Sequence, residues 1–108
     1  MDRSQSLNVP PFFDGNNYAF WKVWIRAFLC LIDDTVWDVV EVGWTRSEAA
    51  KSTWDKVVLA AANANSKALN AIFCGVSPDE FHRISHITVS KEAWEILETT
   101  YEGTKKVK

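Results

Sequence analysis

Residues 12–31 constrain the fold most, because they join a turn signal to a long apolar pattern with helical spacing. The turn signal is DGNN at positions 14–17, where glycine and asparagine are typical turn residues. Behind it, apolar residues recur at steps of one, three and four, which predicts an amphipathic helix. The predicted apolar stripe consists of Phe20, Trp21, Trp24, Ile25, Phe28, Leu29 and Leu31 or Ile32. Such a helix is not stable alone in water, so we expect the other elements to cover it.

The composition bounds the chain to one globular domain. Its 108 residues are 47% apolar and 24% charged, which is ordinary for a folded protein and unlike a disordered one. Six tryptophans supply much buried area for so short a chain. The net charge of −2 argues against a nucleic-acid surface on this segment.

The sequence contains no membrane span or secretion signal that we recognise. No apolar run reaches the roughly 20 residues that cross a bilayer, and the first residues lack the apolar core of a signal peptide. We therefore expect a reducing compartment, the cytoplasm or alternatively the nucleus. Cys30 and Cys74 lie within apolar helical patterns, so we expect buried free thiols.

Two further helices are predicted in the middle of the chain. Residues 35–42 fit a short helix that ends at Gly43, although their β-branched content leaves a strand open. The sequence TRSE at 45–48 has capping-box spacing and predicts the start of a long helix that ends at Gly75. Asn63 and Asn65 are weaker helix formers, which leaves open the alternative of a bend or a break there that divides the helix in two.

Two shorter helices are predicted at the end. Ser77 and Pro78 give a start signal for a helix to about residue 86, and Thr88 or Ser90 can cap the last helix, which Gly103 ends. The fold class is therefore all-α, a compact bundle of about five to six helices. We expect a flexible arm at 1–10, a single helical domain at 11–103, and a basic tail or start of a linker at 104–108. We expect the chain to be the front part of a longer protein.

The aromatic residues divide into a predicted core and a candidate interface. Phe12 and Phe13 either anchor the chain onto the first helix, the interpretation we favour, or form a docking arm for a second copy. The predicted structural core is Phe13, Tyr18, Trp21, Trp24, Phe28, Trp37, Trp54, Leu69, Trp94, Leu97 and Tyr101. The candidate interface residues are Phe12, Lys22, Arg26, Trp44 and Phe81.

No pattern in the chain predicts catalysis. His82 and His86 are four residues apart, but the Glu that zinc proteases place beside the first His is replaced by Arg83. There is no GxSxG context and no glycine-rich phosphate loop. We predict no enzyme activity, no cofactor and no metal.

Three sequence motifs resemble one known family. They are F-x-G-x-N-Y-x-x-W at positions 13–21, W-x-x-V at 37–40, and KEAWEILETTYEG at 91–103. In combination these motifs resemble the Gag polypeptide of Copia-type LTR retrotransposons, which are abundant in plant genomes. The resemblance extends over residues 11–103.

The resemblance implies a structural function. Such a Gag is similar to a retroviral capsid protein, and this segment would correspond to its amino-terminal lobe, which self-assembles with copies of itself. The family's second lobe and RNA-binding zinc knuckle have no counterpart here, so direct nucleic-acid binding is not expected. The alternative is a Gag-derived domain, retained by a host or captured by another protein, that docks a protein partner. An exposed aromatic groove around Trp44, Phe81 or Trp94 would favour that alternative.

Overall fold

Helices account for most of the chain in the structure, a computed structural model that describes residues 9–102. The helices are α1 (Tyr18–Ile32), α2 (Asp34–Val42), α3 (Lys56–Cys74), α4 (Pro78–Ile84) and α5 (Ser90–Glu102). One 3-10 turn, Lys51–Thr53, precedes α3. The predicted all-α class is confirmed, and residues 35–42 are helical. The predicted stop at Gly103 and the basic tail lie outside the described residues, as does most of the predicted N-terminal arm.

Local signals explain where most helices begin and end. The carboxylate of Asp33 accepts a hydrogen bond of 2.9 Å from the Thr35 backbone N–H at the start of α2. Gly43 ends α2 with a positive φ of 108°, a conformation that glycine adopts without a steric penalty. Pro78 occupies the first turn of α4, where its missing N–H has no cost.

The predicted start of the long helix is wrong. Residues 45–50 are not helical, and α3 begins at Lys56 with Asp55 as its N-cap, whose carboxylate accepts from Val58 N–H at 2.9 Å. The alanines at 49 and 50 are exposed, so a helix there would bury no apolar face. The helix is continuous through Asn63 and Asn65 to Cys74, so the possible break is absent.

Trp54 belongs to this irregular segment, so its assignment to the core is wrong. Its indole N–H donates a 3.0 Å hydrogen bond to the Ala49 carbonyl. The guanidinium of Arg46 lies 5.0 Å from the centre of its ring. Trp54 therefore closes the loop ahead of α3 by local contacts.

The core lies between the inner face of α1 and the facing sides of the other helices. Its large fully buried residues include Trp21, Ile25 and Leu29, which follow one another at steps of four along α1. Of the other predicted core residues, Phe13, Trp94 and Leu97 are buried. Five more of the predicted set line the edge of the core in partly buried positions: Tyr18, Phe28, Trp37, Leu69 and Tyr101.

Trp24 is the second correction to the predicted core, because the residue is 53% exposed. Each residue turns an α-helix by about 100°, so Trp24 lies about that angle away from its buried neighbour Ile25. The same geometry exposes Phe20 and Cys30 on α1. Cys74, at the end of α3, is also exposed, so the prediction of two buried thiols is wrong.

The segment before α1 packs across the end of α3. Phe13 N–H donates to the Gly75 carbonyl at 2.6 Å, and Ser77 N–H donates to the Phe13 carbonyl at 3.1 Å. A Cβ on Gly75 would lie 2.7 Å from the Pro11 carbonyl oxygen, so this close approach requires glycine. The predicted anchor is confirmed for Phe13, which is buried, whereas Phe12 is exposed.

A buried asparagine connects α3 to the start of α5. The side-chain amide of Asn65 donates to the Thr88 carbonyl, and its oxygen accepts from Ser90 N–H, both at 2.8 Å. Because Asn65 is buried, both bonds are shielded from water. Asn65, at which the sequence left a bend or break of the helix open, therefore holds the loop between α4 and α5 in place.

The two faces of α1 predict opposite effects for the same substitution. Trp21→Ala removes a fully buried indole and should cost about 3–5 kcal/mol in the free energy of unfolding. Trp24→Ala, the matched control on the exposed face, should cost less than about 1 kcal/mol. Urea denaturation followed by circular dichroism measures both. Equal losses would contradict the assignment of the two faces.

The Asn65 bridge predicts a second matched pair. Asn65→Ala leaves the Ser90 N–H buried without an acceptor and should cost about 1–3 kcal/mol in the free energy of unfolding. Asn63→Ala, on the exposed side of the same helix, should change it by no more than about 0.5 kcal/mol. Thermal or urea denaturation tests this, and a loss at Asn65 no larger than at Asn63 would disprove the bridge.

Candidate functional site

The residues of the first and last motifs meet in one aromatic cluster. The ring of Phe13 stacks on Trp21 with 5.1 Å between centroids, and Tyr101 meets Phe13 edge-on at 4.8 Å. Tyr18 stacks on Tyr101 at 5.5 Å. The indole N–H of Trp21 donates to the Pro11 carbonyl at 3.0 Å. Segments from the two ends of the described chain thus share one packing unit.

Asn17 shapes the turn that delivers Phe13 to this cluster. Its side-chain oxygen accepts from Asp14 N–H at 3.1 Å, and its amide donates to the Phe12 carbonyl at 2.9 Å. Gly15 has a φ of 97°, which favours glycine. Asn17 holds the N-cap position, but its side chain makes no cap hydrogen bond and bonds to the turn instead.

A polar latch joins α1 to α5 beside the aromatic cluster. The Tyr18 hydroxyl donates to a Glu102 carboxylate oxygen at 2.7 Å. The Lys22 ammonium pairs with Glu98 at 3.2 Å and also with Glu102. We call Tyr18, Lys22, Glu98 and Glu102 the α1–α5 latch.

The latch shifts two pKa values upwards. Burial, followed by the hydrogen bond to Glu102, raises the pKa of the Tyr18 phenol far above its ordinary value. Burial alone would lower the pKa of Lys22, but the carboxylates of Glu102 and Glu98 outweigh it, so the net shift is upwards. Both groups therefore keep their protons more tightly in the folded chain.

The candidate interface residues lie in different environments. Lys22 belongs to the latch, and the Arg26 guanidinium lies 5.2 Å from the ring centre of Trp37. Trp44 packs against the core in a partly buried position. Phe12 is exposed, and Phe81 is partly covered by an edge-on contact with Phe73 at 5.4 Å. The structure does not bring these five residues together on one surface.

An exposed apolar surface runs along α1, and the sequence pattern had assigned part of it, Phe20, Trp24 and Leu31, to the stripe that faces the core. The residues Phe20, Val23, Trp24 and Leu31 are 64%, 65%, 53% and 58% exposed. Ala27 is exposed between them. We call Phe20, Val23, Trp24, Ala27 and Leu31 the outer stripe. The tilted rings of Phe20 and Trp24 lie 5.9 Å apart within it.

The outer stripe carries no charge. The charged residues of α1 are Lys22 and Arg26, and both make the contacts described above on another side of the helix. The sequence did contain a signal for this exposed apolar surface. The apolar residues of α1 cover more of the helix circumference than contact with a single core requires.

A groove opens between α1, α2 and α5. It has a volume of about 350 Å³, and the indoles of Trp37 and Trp94 contribute to its lining. The indole N–H of Trp37 is buried and has no hydrogen-bond partner among the described residues. The charged lining residues balance in sign: Lys22, Arg26 and Lys91 against Glu41, Glu95 and Glu98.

The described residues offer no metal centre or membrane span. Within 9–102, no three His, Cys, Asp or Glu side chains are grouped to hold a metal ion. His82 and His86 are both exposed at α4 and just beyond it. Over the same residues, none of the helices has the length and apolar character that crossing a bilayer requires.

Comparison with protein-family models, with curated proteins and with solved structures found no match to this chain. The candidate site is therefore argued from its residues alone. Within residues 9–102, the outer stripe and the groove lined by Trp37 and Trp94 are the two surfaces on which we base functional proposals.

The latch predicts how stability changes at high pH. Because the pKa of Tyr18 is raised on folding, its contribution is fully present below the pKa of an unfolded tyrosine, about 10, and is lost as the pH rises further. Lys22 acts in the same direction. Tyr18→Phe should therefore make the unfolding free energy fall less steeply above about pH 10, while Lys22 retains part of the slope. Urea denaturation at a series of pH values measures this, and an unchanged slope would contradict it.

Proposed function

We propose that this chain is a structural, capsid-like Gag domain of a Copia-type LTR retrotransposon of plant type, which associates with copies of itself in a particle. The observation that carries the proposal is the outer stripe, an exposed apolar surface on the helix that also organises the core. Contiguous apolar patches of this kind mark protein–protein contact sites. The proposal assigns no catalytic residues, cofactor or direct nucleic-acid contact to this segment.

The structural roles of the motif residues support the proposal. In the first motif, Phe13 and Trp21 form the centre of the aromatic cluster, while Gly15 and Asn17 shape the turn between them. In the last motif, Tyr101 packs on that same cluster. The residues on which the resemblance rests are thus those that hold the domain together, as expected of motifs that specify a fold.

The proposal places the chain in a reducing, cytoplasmic setting. Cys30 and Cys74 are exposed and unpaired in the structure. Exposed thiols remain reduced in the cytoplasm, where glutathione and thioredoxin act on them.

The groove favours a second candidate function, a Gag-derived domain that docks another protein. Trp94 lines it together with Trp37, and charges of both signs surround them. Aromatic side chains with a charged rim are common where peptides bind. This candidate places the contact in the groove, which shares only Val23 with the outer stripe, so the two functions use largely different surfaces.

Light scattering over a concentration series tests the proposal. The average mass of the 108-residue chain should rise above that of a monomer, because association removes the outer stripe from water. Trp24→Ser should shift this rise to about tenfold higher concentration or more. Val57→Ser is the matched control, since Val57 is an exposed apolar residue on α3 that we assign to no surface.

A mass that stays monomeric at the highest concentrations would contradict self-association by this segment. That result would favour the second candidate function, docking of another protein in the groove. If the mass rises equally in the wild type and in Trp24→Ser, the chain self-associates, but not through the outer stripe.

A further inference from the structure

We infer that α1 of one copy pairs antiparallel with α1 of a second copy, about a two-fold axis that passes between Trp24 and Ala27. This rests on the proposed function, because it names the partner of the outer stripe: the same stripe on another copy. A two-fold contact is self-complementary and closed, and it is the commonest arrangement of identical chains.

The spacing of the stripe fits a helix pair. Phe20, Trp24, Ala27 and Leu31 are separated by four, three and four residues, which is the spacing of a coiled-coil seam. Val23 lies at the side of this seam, about one helical turn before Ala27. Along the 15 residues of α1, about 22 Å, the seam spans nearly the whole helix.

The sizes of the side chains favour the antiparallel direction. About the proposed axis, Trp24 of each copy faces Ala27 of the other, and Phe20 faces Leu31. A large residue thus meets a small one at the centre, which lets the two helices approach closely. A parallel pair in register would place Trp24 on Trp24 and Ala27 on Ala27, with crowding at one layer and a gap at the next. Antiparallel helices also align their dipoles favourably.

No charge is buried when two stripes meet. Lys22 is held in the α1–α5 latch, and Arg26 lies over Trp37, so neither belongs to the seam. A partner with charged side chains would have to desolvate them against this surface. A second copy of the stripe avoids that cost, since it presents the same uncharged residues.

The available area is enough for a weak pair. Four side chains that are each more than half exposed offer on the order of 100 Å² apiece, with Ala27 and its neighbours adding more. Two copies would bury about 1,000 Å² in total, close to the lower limit of specific protein interfaces. We therefore expect an association that depends strongly on concentration.

A size swap across the axis tests the inference on the full 108-residue chain. Ala27→Trp places two large residues in one layer and should weaken association about tenfold or more, measured by analytical ultracentrifugation. Trp24→Ala leaves two small residues there and should weaken it similarly. The double variant Trp24→Ala with Ala27→Trp restores one large and one small residue per layer and should return to within about threefold of the wild type.

Both positions are exposed, so the variants should fold, and circular dichroism checks that they do. Association that is unaffected by either single change would overturn the α1 pair but leave self-assembly standing through another surface. Two weakened single variants without recovery in the double variant would overturn the antiparallel register. A wild-type chain that remains monomeric would overturn both this inference and the proposed function.

Discussion

The contact between Phe13 and Trp21 is the one on which the rest of the structure depends. It draws the segment before α1 back across the end of α3, where the backbone of Phe13 bonds to Gly75 and Ser77. The same ring is met edge-on by Tyr101 from α5. One buried phenylalanine therefore ties together three parts of the chain that are distant in sequence, in a domain too small to have a second core.

Polar contacts fix what the apolar core leaves undetermined. Hydrophobic burial is not directional, so an apolar core alone specifies the relative positions of helices less sharply than hydrogen bonds of defined geometry do. Asn65 sets the position of the loop before α5 by two hydrogen bonds of defined geometry. The α1–α5 latch does the same at the other end of α5, where Tyr18 and Lys22 converge on Glu102. Helix α5 is thus held at both ends.

The surface has a different character on the two sides of α1. On the latch side, the charged side chains form ion pairs and hydrogen bonds within the chain. The outer stripe, in contrast, is apolar and exposed. A helix that is apolar around most of its circumference is typical of one buried on both sides. In this chain the core supplies one of those two contacts, and we propose that a second copy supplies the other.

The sequence by itself determined the fold class, several helix bounds and the inner core. Those follow from signals that act over a few residues, such as the glycine stops, the proline at the start of α4 and the four-residue spacing of Trp21 and Ile25. Only the tertiary structure decided which part of the apolar surface of α1 is covered. Periodicity identifies the apolar residues of a helix, but it does not show how many of them the neighbouring helices contact. Trp24 was misplaced for that reason. The start of α3 was also misplaced, since a capping signal at residues 45–48 cannot form a helix without a face to bury.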